Sequence, residues 1–145
     1  MQGETLVELL SELIQLDIDA VEAYRKAVKG IEDDIMRKRL ETFAQDHLDH
    51  IDMLSQEVES AGGQPPQLSR DLKGLVIKGF AALRSTTGTR GALKALQTAE
   101  ELTVKGYGNA VSQDVPGVVK ALLRKFFSEE RNHLDYIRKN LEALR

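Results

Sequence analysis

Cysteine is absent from the 145-residue chain, which excludes disulfides, thiolate zinc sites, iron–sulfur clusters and a cysteine nucleophile. Tryptophan is also absent, proline occurs only three times, and aromatic residues make up 5% of the sequence. No apolar run approaches the roughly 18 residues that a membrane-spanning helix needs. What remains is rich in Leu, Ala, Glu, Lys and Arg, a mixture that favours helix. The hydrophobic content of 41% is enough for a buried core.

The formal net charge is only −3, and the two signs of charge are interspersed along the chain. Because no broad basic field is present, we expect neither nucleic acid nor a membrane as a partner. The chain begins with an acidic stretch that leads into an amphipathic segment, so we expect no signal peptide. These features predict a cytoplasmic helical protein.

The first half of the sequence predicts two long helices, because its apolar residues recur with the 3.6-residue period of an amphipathic helix. The first helix is predicted to begin at Thr5, which forms a capping-box pair with Glu8, and to end near Gly30. The second is predicted to follow Asp33 as its N-cap and to stop at Ala61, before two glycines and two prolines.

The second half predicts two more long helices after a connector. A shorter, glycine-weakened helix is expected over residues 69–84 of this connector. The third long helix is predicted over residues 89–112. The fourth is predicted to begin with Asp114 as N-cap and Pro116 in its first turn.

The two halves of the sequence repeat each other when the first is shifted by 83 residues. Tyr24 then falls on Tyr107, His50 falls on His133, and the turn between helices coincides without a gap. The repeat predicts two helical hairpins related by a pseudo-two-fold axis. We expect one domain over residues 1–145, with hairpins at 5–61 and 89–145 and a crossover at 62–88.

Each predicted helix carries an ionisable residue in the middle of its apolar face. An isolated buried carboxylate costs several kcal/mol unless it is paired or bound to a metal. Such groups on four helices must therefore compensate one another, either as ligands of a first-row transition metal or as a metal-free network of salt bridges. The set contains all three histidines of the chain: Asp17, His47, His50, Glu100, Glu130 and His133.

These residues resemble the ligand pattern of the ferritin-like superfamily, which includes rubrerythrin, bacterioferritin and other di-iron carboxylate proteins. That pattern has a Glu on the first and third helices and Glu-x-x-His on the second and fourth. Glu100 matches on the third helix, and Glu130-Arg131-Asn132-His133 is a full match on the fourth. Asp17 is a shorter carboxylate on the first helix, and His47 stands where the family has a bridging Glu. The chain looks most similar to small bacterial ferritin-like proteins of unassigned function.

The resemblance implies an all-α, ferritin-like up-down four-helix bundle with two iron ions per chain. Because His47 replaces a bridging carboxylate, an alternative is a single ion of iron, zinc or manganese. The six residues above would be the ligands, and Asp46 would supply the missing carboxylate if the second helix rotated or bulged. A redox, iron-handling or peroxide-handling role follows, with oxygen or peroxide as a partner. The alternative is a metal-free bundle with a structural or interaction role.

Tyr24 and Tyr107 lie two turns from Asp17 and Glu100 on the same helix faces. Each tyrosine either orients a carboxylate ligand through its hydroxyl, or fills the bundle with its ring and places the hydroxyl at the end of a polar pocket. The sequence identifies no general base and no organic-substrate pocket, so the residues assign no reaction. If the protein is an enzyme, the resemblance implies a di-iron oxidoreductase. We expect a homo-oligomer, a dimer in preference to a storage shell.

Overall fold

Four long amphipathic helices make up most of the computed structural model, which describes residues 1–69 and 88–144. A short 3-10 helix, Val28–Gly30, follows the first of them. No strand occurs in these described ranges. The short helix expected over residues 69–84 falls almost entirely outside them. The long helices are α1 (Gly3–Ala27), α2 (Asp34–Ser60), α3 (Thr89–Val111) and α4 (Gly117–Ala143).

Both ends of α2 lie where the sequence predicts them. Asp33 is the N-cap, and its carboxylate accepts a hydrogen bond of 2.8 Å from the backbone N–H of Met36. The helix ends at Ser60, and Gly62 follows with a φ of 88°. Because this left-handed conformation is strained for a residue with a Cβ, glycine is the residue that terminates the helix there.

The capping box predicted at Thr5 is wrong. The carbonyl of Gln2 accepts a hydrogen bond of 2.9 Å from the N–H of Leu6, so the first turn forms earlier and α1 begins at Gly3. Thr5 therefore lies inside the helix, and the N-cap Gln2 makes no side-chain cap hydrogen bond.

The N-cap predicted for α4 is also wrong. Pro116 is the N-cap instead of Asp114, and α4 begins at Gly117. Pro116 adopts extended backbone with ψ of 147°, and its carbonyl accepts the first helical hydrogen bond from Lys120 N at 2.9 Å. Because proline has a fixed φ and no N–H to donate, the helical hydrogen bonding of α4 does not extend back past Pro116.

The helices pack as two hairpins that face each other. α1 packs along α2 and along α3, and α3 packs along α4. The hydroxyl of Thr89 links the start of α3 to the turn after α1, because it accepts from the N–H of Glu32 at 3.2 Å and donates to the carbonyl of Gly30 at 3.4 Å. α3 therefore starts at the end of the bundle where α1 finishes.

The core is built from the inward faces of the four helices. Leucines dominate it, and burial of each contributes about 1.5–3 kcal/mol. None of the described helices is both long and apolar enough to cross a bilayer. The fully buried leucines include Leu10, Leu13, Leu40, Leu54, Leu93, Leu96 and Leu123.

Candidate metal centre

The six ionisable residues singled out from the sequence all lie inside the bundle. Each is at most 1% exposed. They come from all four helices, and ion-pair contacts join them into one cluster. The contributions are Asp17 from α1, His47 and His50 from α2, Glu100 from α3, and Glu130 and His133 from α4.

The cluster divides into two overlapping groups of ligand atoms. In each group, one N or O atom from every member lies within 4.8 Å of the others. Two residues, His47 and Glu130, belong to both groups, so two ions bound here would share ligands. The first half-site consists of Asp17, His47, His50 and Glu130, and the second half-site consists of His47, Glu100, Glu130 and His133.

His47 lies between the two half-sites, with one ring nitrogen facing each. Its Nδ1 is 2.7 Å from Asp17 Oδ1 and 3.3 Å from Glu130 Oε1, on the side of the first half-site. Its Nε2 contacts Glu100 Oε1 on the opposite side. The imidazole therefore takes the central position that the ferritin-like pattern gives to a carboxylate.

His50 points Nδ1 into the cluster and Nε2 away from it. Nδ1 is 3.3 Å from Asp17 Oδ1 and 3.0 Å from Glu130 Oε1. Nε2 pairs with Glu129 Oε1 at 2.7 Å. The ring also stacks on Phe126 with a centroid separation of 4.0 Å. These contacts on both nitrogens and on the ring face fix the orientation of the imidazole.

His133 repeats this arrangement in the other hairpin. Its Nδ1 is 3.2 Å from Glu100 Oε2 and 3.4 Å from Glu130 Oε2. Its Nε2 pairs with Asp46 Oδ2 at 2.8 Å, and its ring stacks on Phe43 at 4.2 Å. The pseudo-two-fold repeat in the sequence therefore extends to the side-chain contacts of the two histidines.

Two partly exposed carboxylates, Asp46 and Glu129, support the histidines from outside. The side chain of Asp46 is 31% exposed and that of Glu129 is 32% exposed. Asp46 is not placed as a central ligand, because α2 runs without a break and turns this carboxylate to the outward nitrogen of His133. Sequence reasoning missed Glu129, although the 83-residue shift maps Asp46 onto it.

The two tyrosines differ in their contacts. Tyr107 donates a hydrogen bond of 2.5 Å to Asp17 Oδ2, a carboxylate on a different helix. The buried hydroxyl of Tyr24 has no hydrogen-bond partner in the described part of the chain. Burial raises the pKa of Tyr24 well above its usual value, and the carboxylates of Glu100 and Glu130 raise it further. Tyr24 therefore stays a neutral phenol.

The two oxygens of Glu130 have different surroundings. Oε2 lies 3.1 Å from the buried hydroxyl of Thr103, which shares its single proton between Oε2 and the backbone carbonyl of Glu100 at 3.0 Å; sequence reasoning missed this contact. Oε1 accepts no well-aligned hydrogen bond among the described residues, but it is at ion-pair distance from His50 Nδ1, 3.0 Å, and His47 Nδ1, 3.3 Å. A buried carboxylate oxygen in this position depends on the positive charge beside it for compensation.

Neighbouring carboxylates hold the histidines in their cationic form. Burial alone lowers the pKa of His50, but the hydrogen bond to Asp17 and the adjacent Glu130 carboxylate outweigh it and raise the pKa to about 9. The pKa of His133 rises to about 10 because its bonds to carboxylates, Asp46 first, outweigh the same effect of burial. In the metal-free protein the cluster is therefore a network of imidazolium and carboxylate groups.

The pKa of Asp17 shifts in the opposite direction to those of the histidines. Burial raises it, but the contacts with His47 and His50 have the larger effect, so the pKa of Asp17 is below its usual value. Glu130 is the exception, because burial and the charge of Glu100 keep its pKa above the usual value. Glu130 is therefore the least compensated carboxylate of the cluster.

The donor set suits a first-row transition metal. Three carboxylates and three imidazoles are ligands of intermediate softness, which iron, zinc and manganese all accept. Glu129 and Asp46 provide the outer support that metal-binding histidines require. Glu130 Oε1 faces the Nδ1 atoms of His47 and His50, where a metal ion would take over the compensation that the protonated rings provide. The residues present therefore fit a metal ion.

A sequence-family profile described as a domain of unknown function, DUF2383, matches residues 5–113. The chain belongs to the DUF2383 family. The part that matches this family includes α1 to α3, with Asp17, His47, His50 and Glu100, and it ends before Glu130 and His133 on α4. No curated protein matches the sequence.

The fold of this DUF2383 protein is similar to a crystal structure of ferritin-like, di-iron-carboxylate proteins from Bacillus anthracis str. Ames. The TM-score is 0.71, the sequence identity is 18%, and the similarity covers 96% of each chain. The all-α, ferritin-like four-helix fold predicted from the sequence is thereby confirmed.

Proposed function

We propose that this DUF2383 protein is a non-haem metal protein that holds two iron ions per chain and has a redox, iron-handling or peroxide-handling role. The observation that carries the proposal is the pair of buried ligand groups that share His47 and Glu130. The ferritin-like fold supports it, because the similar Bacillus anthracis structure is described as di-iron-carboxylate. Zinc and manganese fit the same donors.

The six buried residues would hold the metal, and each would act in a defined way. Iron would supply one-electron chemistry toward oxygen or peroxide. His50 and His133 would bind through Nδ1, because Nε2 of each ring faces an outer carboxylate that fixes the tautomer. Tyr107 would keep Asp17 Oδ2 occupied and leave Oδ1 directed into the first half-site. Burial would exclude bulk water from these contacts.

A second candidate function is a metal-free bundle with a structural or interaction role. The contacts of His47 with Asp17 on one side and Glu100 on the other favour it, because they already join the two hairpins without an ion. Such a network would fix helix register through paired buried charges. The two candidates differ in whether the protein retains iron.

Anaerobic titration with Fe(II), followed by exposure to air or peroxide, tests the redox proposal. We expect ferric absorption that saturates at about two iron ions per chain, and saturation at two ions should be lost in His50→Gln and in His133→Gln. Asp49→Asn is the control, because Asp49 is an exposed carboxylate on the same helix as His50. Oxidation no faster than in buffer would support the metal-free role. Light scattering coupled to size exclusion would test whether the assembly is a dimer or a storage shell.

A further inference from the structure

The two half-sites are unequal, although the sequence repeat relates them. Two departures from the symmetry lie beside the shared carboxylate: His47 corresponds to Glu130, and Ala20 corresponds to Thr103. The hydroxyl of Thr103 lies 3.1 Å from Glu130 Oε2, and His47 Nδ1 lies 3.3 Å from Glu130 Oε1. At the position equivalent to Thr103, Ala20 is buried and offers no hydroxyl.

The two oxygens of the shared Glu130 differ in what surrounds them. Oε1 faces only imidazole nitrogens, His50 Nδ1 at 3.0 Å and His47 Nδ1 at 3.3 Å. Oε2 lies 3.4 Å from His133 Nδ1 and also 3.1 Å from the hydroxyl of Thr103, which shares its proton between Oε2 and the backbone carbonyl of Glu100. A carboxylate oxygen that accepts from a hydroxyl is a weaker ligand than one that faces only potential metal ligands. The carboxylate is therefore better placed for an ion beside His50 than beside His133.

The shared imidazole of His47 can supply its lone pair to only one half-site at a time. A neutral imidazole has one nitrogen lone pair, because its other nitrogen carries a proton. If Nδ1 uses its lone pair in the first half-site, the N–H at Nε2 keeps its contact with Glu100 Oε1. The first half-site then has four ligands, whereas the second loses His47 as a ligand and has one oxygen of Glu100 occupied by the imidazole N–H.

The outer contacts of the two half-sites are also unequal. Asp17 in the first half-site is held by the hydroxyl of Tyr107 at 2.5 Å. The counterpart of Asp17, Glu100, has the hydroxyl of Tyr24 nearby, but no hydrogen bond of comparable geometry joins them. A ligand whose second oxygen is already fixed loses less freedom when it binds an ion.

We propose that the first half-site binds one metal ion ahead of the second half-site, with an affinity at least about tenfold higher. Thr103 and the bond between Tyr107 and Asp17 set the order of filling, and the imidazole of His47 then completes the half-site that fills first. This inference rests on the proposed metal-binding function. In addition, it assigns the ligands of the first ion and identifies Thr103 as the residue that weakens the second position.

A titration of metal-free protein with Zn(II), followed by calorimetry, tests the order. Wild-type protein should show a tight first phase and a weaker second phase. His50→Gln and His133→Gln form a matched pair, because both side chains are 1% exposed, stacked on a phenylalanine and backed by a carboxylate. His50→Gln should weaken the first phase by more than roughly 100-fold, whereas His133→Gln should leave it intact. The opposite pattern, or two equal phases, would overturn the proposal.

Thr103→Val tests the role of the hydroxyl while keeping the size and shape of the side chain. It should raise the affinity of the second phase by about tenfold and leave the first unchanged. Thr98→Val on the same helix is the control, because Thr98 is exposed and donates only to the carbonyl of Lys94 at 3.3 Å. An unchanged second phase in Thr103→Val would remove Thr103 from the account.

Anomalous diffraction from wild-type crystals grown with one equivalent of Zn(II) locates the ion without any substitution. The peak should lie among Asp17, His50 and Glu130. A peak beside Glu100 and His133, or equal peaks in both positions, would contradict the inference alone. Zinc absent from the cluster in both crystals and calorimetry would instead contradict the proposed metal-binding function.

Discussion

The hydroxyl of Tyr107 donates a hydrogen bond to Asp17 Oδ2, so a phenol on α3 fixes a carboxylate on α1. Both groups are buried, and the bond joins the two hairpins at the level of the ionisable cluster. Tyr24, the counterpart of Tyr107 in the repeat, is equally buried but has no hydrogen-bond partner in the residues described. The tyrosine pair therefore allows a matched test of one hydrogen bond.

Tyr107→Phe should destabilise the metal-free protein by about 1.5–3 kcal/mol, because it removes a hydrogen bond to a charged carboxylate. Tyr24→Phe removes a hydroxyl that makes no such bond, so its free energy of unfolding should change little or rise. Urea unfolding of both variants measures the difference. Equal losses of unfolding free energy in the two variants would show that the bond between Tyr107 and Asp17 does not stabilise the fold.

Removal of the outer charges should weaken metal binding without unfolding the bundle. Glu129→Gln and Asp46→Asn keep an oxygen that accepts from the histidine, so the ring orientation is retained while the charge is lost. Metal affinity should fall by about tenfold in each variant, with Glu129 acting on the half-site of His50 and Asp46 on that of His133. Zn(II) calorimetry measures the loss, and Asp49→Asn should bind as the wild type does.

The stability of the metal-free protein should fall as the pH rises from 6.5 to about 10. The folded pKa values of His50 and His133, about 9 and 10, lie above the usual 6.5. A group whose pKa is raised by folding stabilises the fold fully below its unfolded pKa, and that contribution is lost as the pH passes the folded pKa. Urea unfolding with a chelator present, repeated across this range, measures the trend.

The double variant His50→Gln/His133→Gln should show a smaller fall over the same pH range. A wild-type free energy of unfolding that stays constant between pH 6.5 and 10 would be inconsistent with imidazolium groups inside the bundle. Bound metal should also reduce the fall, because the ion replaces the protons on the histidines.

The four helices and the six clustered residues could be predicted because periodicity and the repeat determine which side chains face inward. Asp17 and Glu100 lie in the middle of apolar faces, and their burial follows from that position. The helix starts were harder to predict. Thr5 and Asp114 are good N-cap residues, but the chain begins α1 at Gly3 and α4 at Gly117.

The contacts of the cluster depend on how four helices pack, and local sequence does not specify this. Nothing in the sequence around His47 indicates that its two nitrogens face opposite carboxylates. The sequence around Thr103 is that of an ordinary helix, and only the packing of α3 against α4 brings its hydroxyl close to Glu130. Glu129 was missed but could have been predicted, because the shift that relates His50 to His133 also relates Asp46 to Glu129.

The metal content of untagged protein, reconstituted with Fe(II) under anaerobic conditions and then desalted, tests the central claim most directly. Wild-type protein should retain iron, about two ions per chain when both half-sites are filled, and His50→Gln/His133→Gln should retain none. Wild-type protein that retains no more iron than the folded double variant would contradict the claim that this cluster is a metal centre.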